Sequence, residues 1–449
     1  MTTTTKSSDV LLLGATGFTG TLIIRYLCAH PQRHLFTFAI GARSRSKLDA
    51  LVQKLDVPSS VQLVQVDVTD KHQVEEAVKS TRVIINTVGP YWKWGTPVVA
   101  ACVRNGVHYV DLAGETPWVK YIINRYDYYA TITGSIIVPQ CGYDSIPSDI
   151  SAFLANKTLK AHSPPLNLGT STTAHKIRGG VSGGTLASAM TAIEEVPRYE
   201  RKEASLPHSL SPIVGVKPSR PQFWYKLPIP GAKEIYGAFF FMQPTNRALV
   251  QRTAGLLELE AIMHGDRKEA QLERYGSNFS YDEFIVMPSK LVSTMVTTAF
   301  VIGVGMLVLV RPFRWLVKKL MPQPGEGPSE EQMQNGFMQC TNLSVSDSSP
   351  PVHVQSVVKG HGDPGYSLTA IMISESALSI ILPPPSQTES LKTRTEETQI
   401  HNLGVLARQG GVLTSMTAFG DVLIKRLEET GKFEFSSCVV EEGEARKGV

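Results

Sequence analysis

From Val10 onward the chain alternates short apolar runs with amphipathic stretches, and no other feature restricts its fold so strongly. The runs are Val10-Leu11-Leu12-Leu13, FTFAIGAR ending near Arg43, VQLVQVDV, RVIINTVGPY, HYVDLAGE and SIIVPQCGYD. Between them TLIIRYLCAH, SKLDALVQKL, DKHQVEEAVKS and TPVVAACVRNG read as helices, with Asp70 placed to cap the third. Strands that are apolar on both faces need cover on both faces. Strand–helix alternation supplies that cover, so the spacing predicts an α/β fold with a doubly wound parallel sheet.

The first strand-to-helix turn carries Gly14, Gly17 and Gly20, a G-x-x-G-x-x-G with Thr16 and Phe18 inside it. Missing side chains let the backbone turn tightly and approach a pyrophosphate, whose charge then meets the amides at the helix N-terminus. Glycines also serve ordinary turns. Their place after the first strand of a strand–helix series is where a dinucleotide site sits.

The end of the second strand selects the cofactor. An acid for a ribose 2′-hydroxyl belongs there, but the chain reads Gly41-Ala42-Arg43-Ser44-Arg45-Ser46-Lys47, with no carboxylate before Asp49. A guanidinium clamps a 2′-phosphate in bidentate fashion. The expectation is therefore NADP(H), with Arg43 as reader and Ser44, Arg45 or Lys47 assisting; the plain alternative is a solvated basic turn. Asp67, after the third strand, either bonds the adenine or serves the turn before the next helix. Asn86, Gly89 and Tyr91, after the fourth, lie beside the expected path to the nicotinamide.

Past about Lys160 the pattern loosens. Residues 202–233, 322–335 and 383–398 are polar or Pro-bearing and read as loops. FMQCTNLSVS, PVHVQSVVKG and YSLTAIMIS read as strands or strand-to-helix passages of a second domain, and GVLTSMTAFGDVLIKRLEETG as a C-terminal helix ending near Gly431. The resulting division is 1–150, 151–400 and 401–449. There is no internal repeat.

Leu291 to Val310 holds no charge over twenty residues and is followed by RPFRWLVKKL, where basic and aromatic residues interleave. Twenty helical residues span about 30 Å, the thickness of a bilayer core, and basic heads with aromatic bodies suit an anionic interface. Six Ser, Thr or Gly residues in the stretch keep open a buried strand or helix instead. If the C-terminal segment packs on the first domain, both ends of the stretch lie on one side of a membrane. That favours a hairpin or in-plane geometry at 291–320 over a single crossing.

Net charge is +4, spread along the chain, which gives no nucleic-acid footprint. Five scattered cysteines without zinc spacing predict reduced thiols and no metal site. The polar start MTTTTKSSDV lacks a cleaved-signal pattern. None of the 14 tyrosines has a lysine four residues later, so the Tyr-x-x-x-Lys reductase pattern is absent. Proton-donor candidates near strand ends are Tyr91, Glu115, Tyr143, Asp144 and Asp149, with Tyr143 or Asp144 preferred; Ser148 or Asp149 equally suits a helix cap.

These residues resemble the saccharopine dehydrogenase-like oxidoreductases, including lipid-droplet-associated members and bacterial trans-acting enoyl reductases. The matching pieces are GATGFTG (14–20), GARS (41–44), NTVGPY (86–91), GVHYVDLAGE (106–115), GYDSIPSD (142–149), GGTLAS (183–188), GDPGY (362–366) and GGVLTSMTAFGD (410–421). The resemblance implies a Rossmann domain, an α+β second domain that serves substrate or a homodimer, and a C-terminus packing back on the first. It also implies a nicotinamide cofactor and, as in the bacterial relatives, reduction of a lipid-derived enoyl or imine group. The place of action it implies is a lipid droplet or the cytosolic face of an intracellular membrane, with the cytoplasm as alternative. The first glycine pair is separated by Ala15-Thr16, unlike the usual G-x-G of true saccharopine dehydrogenases. A non-catalytic droplet protein with a nucleotide pocket and an amino-acid dehydrogenase are the rival functions.

Overall fold

The computed structural model describes residues 6–180, 183–320, 326–390 and 399–441. Its strands are β1 (Ser8–Leu13), β2 (Phe38–Ala42), β3 (Gln62–Gln65), β4 (Thr81–Asn86), β5 (His108–Asp111), β6 (Ile136–Val138), β7 (Leu168–Arg178), β8 (Tyr225–Leu227), β9 (Ile235–Ala238), β10 (Ser280–Met287), β11 (Phe337–Ser346), β12 (His353–His361), β13 (Gly411–Val412) and β14 (Phe433–Val440). They form two seven-stranded sheets, ordered β13-β6-β5-β4-β1-β2-β3 and β14-β12-β11-β7-β10-β9-β8.

The first sheet is parallel throughout. Its strand order reverses beside β1, the switch point at which a doubly wound sheet opens a ligand crevice. Leu11 and Leu13 pack to one side of it and Val10 and Leu12 to the other, all fully buried. The predicted two-sided apolar strands are thus present except at the edge strand β3, whose Gln62 and Gln65 are exposed and whose Leu63 and Val64 are half-buried. In the second sheet β7 and β10 are parallel and the remaining pairs antiparallel.

The C-terminal segment contributes to both sheets. Where one helix is expected, Gly411–Val412 adds to β6 as a seventh parallel strand. Two helices, Ser415–Ala418 and Gly420–Glu429, follow, and then β14 joins the second sheet. Gly420, in a left-handed conformation (φ 48°), separates the two helices, and Gly411 (φ 124°) keeps the start of the segment out of a helix. Other differences concern burial. YSLTAIMIS is not a strand: the Thr369–Ile381 helix is buried along its whole length. The 202–233 stretch is mostly loop but carries β8 and buries Leu210, Tyr225, Leu227 and Ile229.

Three polar ties anchor the returning segment. The Asp149 carboxylate, in the first turn of the Ile146–Lys160 helix, accepts from Met416 N (3.0 Å), Ser415 Oγ (3.1 Å) and Thr253 Oγ1 (2.6 Å). It therefore caps a neighbouring helix, not its own. Arg426 donates to Glu375 Oε2 (2.6 Å), Pro383 O (2.6 Å) and Gln32 Oε1 (3.1 Å), while Glu375 also meets His30 Nε2 (2.9 Å) and the Tyr26 hydroxyl. Burial alone would raise the Glu375 carboxyl, but Arg426 and His30 hold it below the ordinary range. Arg252, buried, binds Val412 O and Leu210 O and so fixes β13.

The uncharged twenty form one helix, Lys290–Leu309, capped by Ser289. It is largely exposed: only Ser293 and Thr297 are buried, where Thr297 Oγ1 accepts from Phe239 N (3.0 Å). The chain then turns into a second helix, Arg311–Leu320, whose Arg314 donates to Leu307 O and Val308 O (2.8 Å each). Lys318 reaches Glu194 at 2.6 Å. Both ends of the apolar helix are thus held against the body of the protein.

Candidate active site

The glycine loop joins β1 to the Phe18–Cys28 helix at the C-terminal edge of the parallel sheet. A Cβ on Gly14 (φ 84°) would sit 2.5 Å from Thr87 Oγ1, and one on Gly20 would sit 2.3 Å from Gly14 O. Side chains are excluded at both positions. Gly17 caps the helix without a side-chain acceptor, so the first-turn N–H groups are left for a ligand anion. Thr16 is exposed at the tip, and Phe18 packs edge-on against Tyr366 (5.2 Å between ring centres).

After β2, the Arg43 guanidinium is exposed, with neither hydrogen bond nor ion pair among the described residues, and Lys47 is likewise exposed without a partner. Ser44 caps the following helix through Lys47 N (3.3 Å). Arg45 turns away to Asp49 (3.0 Å). Of the four candidate readers, Arg43, Ser44 and Lys47 remain available at this edge. The residues therefore fit a dinucleotide with a 2′-phosphate. Asp67 serves its own turn: Oδ1 accepts from Thr69 N (2.9 Å) and Thr69 Oγ1 (2.8 Å), bonds that hold its carboxyl below the ordinary range.

The next strand ends are mostly architectural. Buried Asn86 bonds Tyr109 (3.1 Å) and accepts from Val88 N (3.0 Å). Tyr91 donates to Asn86 O (3.0 Å) and accepts from Leu112 N (3.1 Å), which occupies its phenol. Glu115 accepts from Tyr91 N and Trp92 N (2.8 Å each), capping the Tyr91–Asn105 helix. Gly89 is exposed beside them, and Ser188 of the second domain lies opposite it and bonds Glu115.

The loop after β6 differs. Gln140 is held at φ 66°, its N–H on Asp111 Oδ1 (3.0 Å), and its buried amide nitrogen has no hydrogen-bond partner among the described residues. A positive φ and an orphan donor together make Gln140 a candidate ligand contact. Three residues on, the Tyr143 hydroxyl meets His175 Nδ1 (3.1 Å), and His175 Nε2 meets Glu283 Oε2 (3.1 Å). The Glu283 carboxylate also accepts from Ser148 Oγ, Tyr281 OH and Asn246 Nδ2 at 2.8 Å each. Strand alternation produces this chain. Ser171, Thr173 and His175 of β7 and Tyr281 and Glu283 of β10 point to one buried face of the second sheet, with Asn342 of β11 bonded to Ser171 and Thr173.

Burial would lower the His175 pKa. The Cys340 and Glu283 side chains beside it overcome that and raise it to about 10. Burial, then Cys340, Glu283 and Asp144, push the Tyr143 phenol well above its ordinary value. Asp144, half-buried, rises to about 6, chiefly through desolvation and then Glu283. A neutral phenol hydrogen-bonded to a protonated imidazole is equipped to give a proton and have it replaced.

Sequence reasoning missed His175 and Glu283. The available signal was a carboxylate and a histidine at inward positions of strands otherwise lined by Ser, Thr and Tyr. It also missed Asp363 of GDPGY, whose carboxylate takes Gly180 N and Tyr366 N (2.8 Å each) and so seats the second domain's loops over the cofactor edge.

Residues 10–133 match the family described as the saccharopine dehydrogenase NADP binding domain. A trans-acting enoyl reductase of Mycobacterium ulcerans is 28% identical over 448 residues, 96% of this chain and 98% of its own. One of Mycobacterium bovis is 28% identical over 438 residues, 95% and 97%. A Mycobacterium tuberculosis protein, given the same name provisionally, is 28% identical over 447 residues, 96% and 98%. Among solved structures, the apo, L-Glu-forming saccharopine dehydrogenase of Saccharomyces cerevisiae aligns over 97% of this chain and all of its own at 11% identity and a TM-score of 0.47.

Proposed function

We propose that this chain, similar to saccharopine dehydrogenase-like proteins in its NADP-binding domain and along its length, reduces an enoyl or imine group of a lipid-derived substrate at a membrane or lipid-droplet surface. The observation that supports the reading is the buried Tyr143–His175–Glu283 chain, whose tyrosine stands on the loop that follows β6 of the parallel sheet. When bound, NADPH would supply a hydride, to the β-carbon of an enoyl group or to the carbon of an imine. Gly14, Gly17, Gly20 and the first turn of the Phe18–Cys28 helix would hold its pyrophosphate, and Arg43, Ser44 and Lys47 its 2′-phosphate. Tyr143 gives the proton to the α-carbon or imine nitrogen as its O–H bond breaks. His175 returns a proton to the phenolate, and Glu283 keeps the imidazole charged and oriented. The unpartnered Gln140 amide would donate to a substrate oxygen.

The surface assignment rests on the Lys290–Leu309 helix. Leu291, Met295, Val301, Ile302 and Leu309 are each more than half exposed. A face of this kind on a helix tethered at both ends fits in-plane embedding in a lipid surface.

The test is NADPH consumption by the purified chain with long-chain trans-2-enoyl thioesters and with preformed imines, against Tyr143→Phe. Turnover that falls at least about 100-fold in the variant, with NADPH binding intact, supports the reading. NADPH binding without turnover of any acceptor supports a non-catalytic nucleotide-binding protein. The matched family's own description favours a second reading, an amino-acid dehydrogenase. Oxidation of saccharopine-like secondary amines, with no turnover of acyl acceptors, supports that one.

A further inference from the structure

A cleft of about 960 Å³ opens where the apolar helix ends, between Ile193–Ser205 and Val308–Arg314. Its walls carry Arg198, Arg201, Lys202, Arg311 and Arg314 against two acids. Both acids are already paired, Glu194 with Lys318 (2.6 Å) and Arg314 (3.6 Å), and Glu195 with Lys93 (2.5 Å). Arg198, Lys202 and Arg311 have no side-chain partner among the described residues. Arg201 spends one nitrogen on Ile193 O (3.2 Å), while its buried Nε has none. Four cationic groups thus converge on one cleft without an acidic partner of their own, and their summed field favours an entering anion.

The surroundings say which kind of anion. Val308 and Leu309 line the same cleft and continue the exposed apolar helix. Tyr199 and Trp315, 65% and 64% exposed, flank it, with Lys319 over the Trp315 ring. Apolar surface, an aromatic belt and a basic pocket in sequence are the layers of a bilayer interface read from tails to headgroups. We infer that this cleft binds the phosphate of an anionic phospholipid headgroup, whose acyl chains lie along the Lys290–Leu309 helix. The inference rests on the proposed membrane association and adds its lipid selectivity.

The experiment is flotation of the full-length protein with phosphatidylcholine vesicles and with vesicles containing phosphatidic acid. One variant is Arg198→Gln/Lys202→Gln/Arg311→Gln. A second, Lys217→Gln/Arg220→Gln/Lys233→Gln, removes equal charge at exposed positions outside the cleft. The expected result is binding to both vesicles, about tenfold or more tighter to the anionic ones. The preference is lost in the cleft variant, kept in the control variant and kept in millimolar inorganic phosphate. Binding to both vesicles without preference overturns the headgroup site and leaves membrane association standing. Binding to neither overturns both. Loss of preference in both variants alike reduces the effect to overall charge, and its loss in inorganic phosphate marks a site for the free anion; either overturns the headgroup inference.

Discussion

Arg43 shows how much a single exposed position can decide. Its guanidinium is committed to nothing nearby, whereas Arg45, two residues on, is tied to Asp49. Arg43→Asp should therefore weaken NADPH about 10- to 100-fold, the worth of a lost charge-assisted pair. NADH affinity should change little, and titration of nicotinamide fluorescence with both cofactors checks it; equal losses sink the 2′-phosphate assignment. Arg43 was readable as a candidate because the whole signal sits in one turn. His175 and Glu283 were not, because they lie 108 residues apart and meet only through β7–β10 pairing. Their titration has consequences of definite sign. An ionised Asp144 raises the Tyr143 phenol further and so opposes proton release. Turnover should fall as pH rises through about 6, and Asp144→Asn should remove that limb of the pH–rate profile. For stability, the folded pKa of His175, raised to about 10, lies above an unfolded value of about 6.5. Its contribution is complete below about 6.5 and lost as pH climbs through about 10. Urea midpoints at several pH values should show this decline in the parent chain and a shallower one in His175→Gln.

Among elements, the ones readable in advance carry local punctuation. Most strands of the parallel sheet are apolar on both faces and end at glycines, caps or prolines, so they announce themselves within about ten residues. β13 announces nothing: two residues, Gly411 and Val412, become a strand only because β6 offers an edge and Arg252 and Asp127 hold them there. The Thr369–Ile381 helix was ambiguous for the opposite reason. It is buried on every side, so it lacks the polar face that gives a helix its period. Asp149 is one of three polar ties that attach the C-terminal segment. Asp149→Ala leaves Met416 N, Ser415 and Thr253 without their acceptor in a closed interior. The expected loss is about 3 kcal/mol of stability with NADPH affinity retained. Thermal unfolding with and without NADPH measures both, and an unchanged melting temperature would show that the cap is dispensable.

On the scale of the whole molecule, the unexplained quantity is the apolar surface left in water. Soluble monomers avoid contiguous patches of this kind, yet the Lys290–Leu309 helix keeps two small buried residues against β9 and turns its large side chains outward. The tethers decide what such a helix can do. Its N-terminal half is bonded through Thr297 to Phe239, and beyond its C-terminus Lys318 is bonded to Glu194, so threading it across a bilayer would tear one of them from the body. Lying along a lipid surface breaks neither. Val301 and Ile302, at 57% and 58% exposure, are the positions at which this can be tried without disturbing the fold. Each apolar side chain moved from water into lipid contributes about 1.5–3 kcal/mol. The pair Val301→Glu/Ile302→Glu should therefore lower vesicle partitioning at least about 100-fold while NADPH affinity and melting temperature stay at parent values. Undiminished flotation would remove the helix from the membrane face. Parent-level flotation together with a halved mass by light scattering would assign the helix to a contact between two copies of the chain.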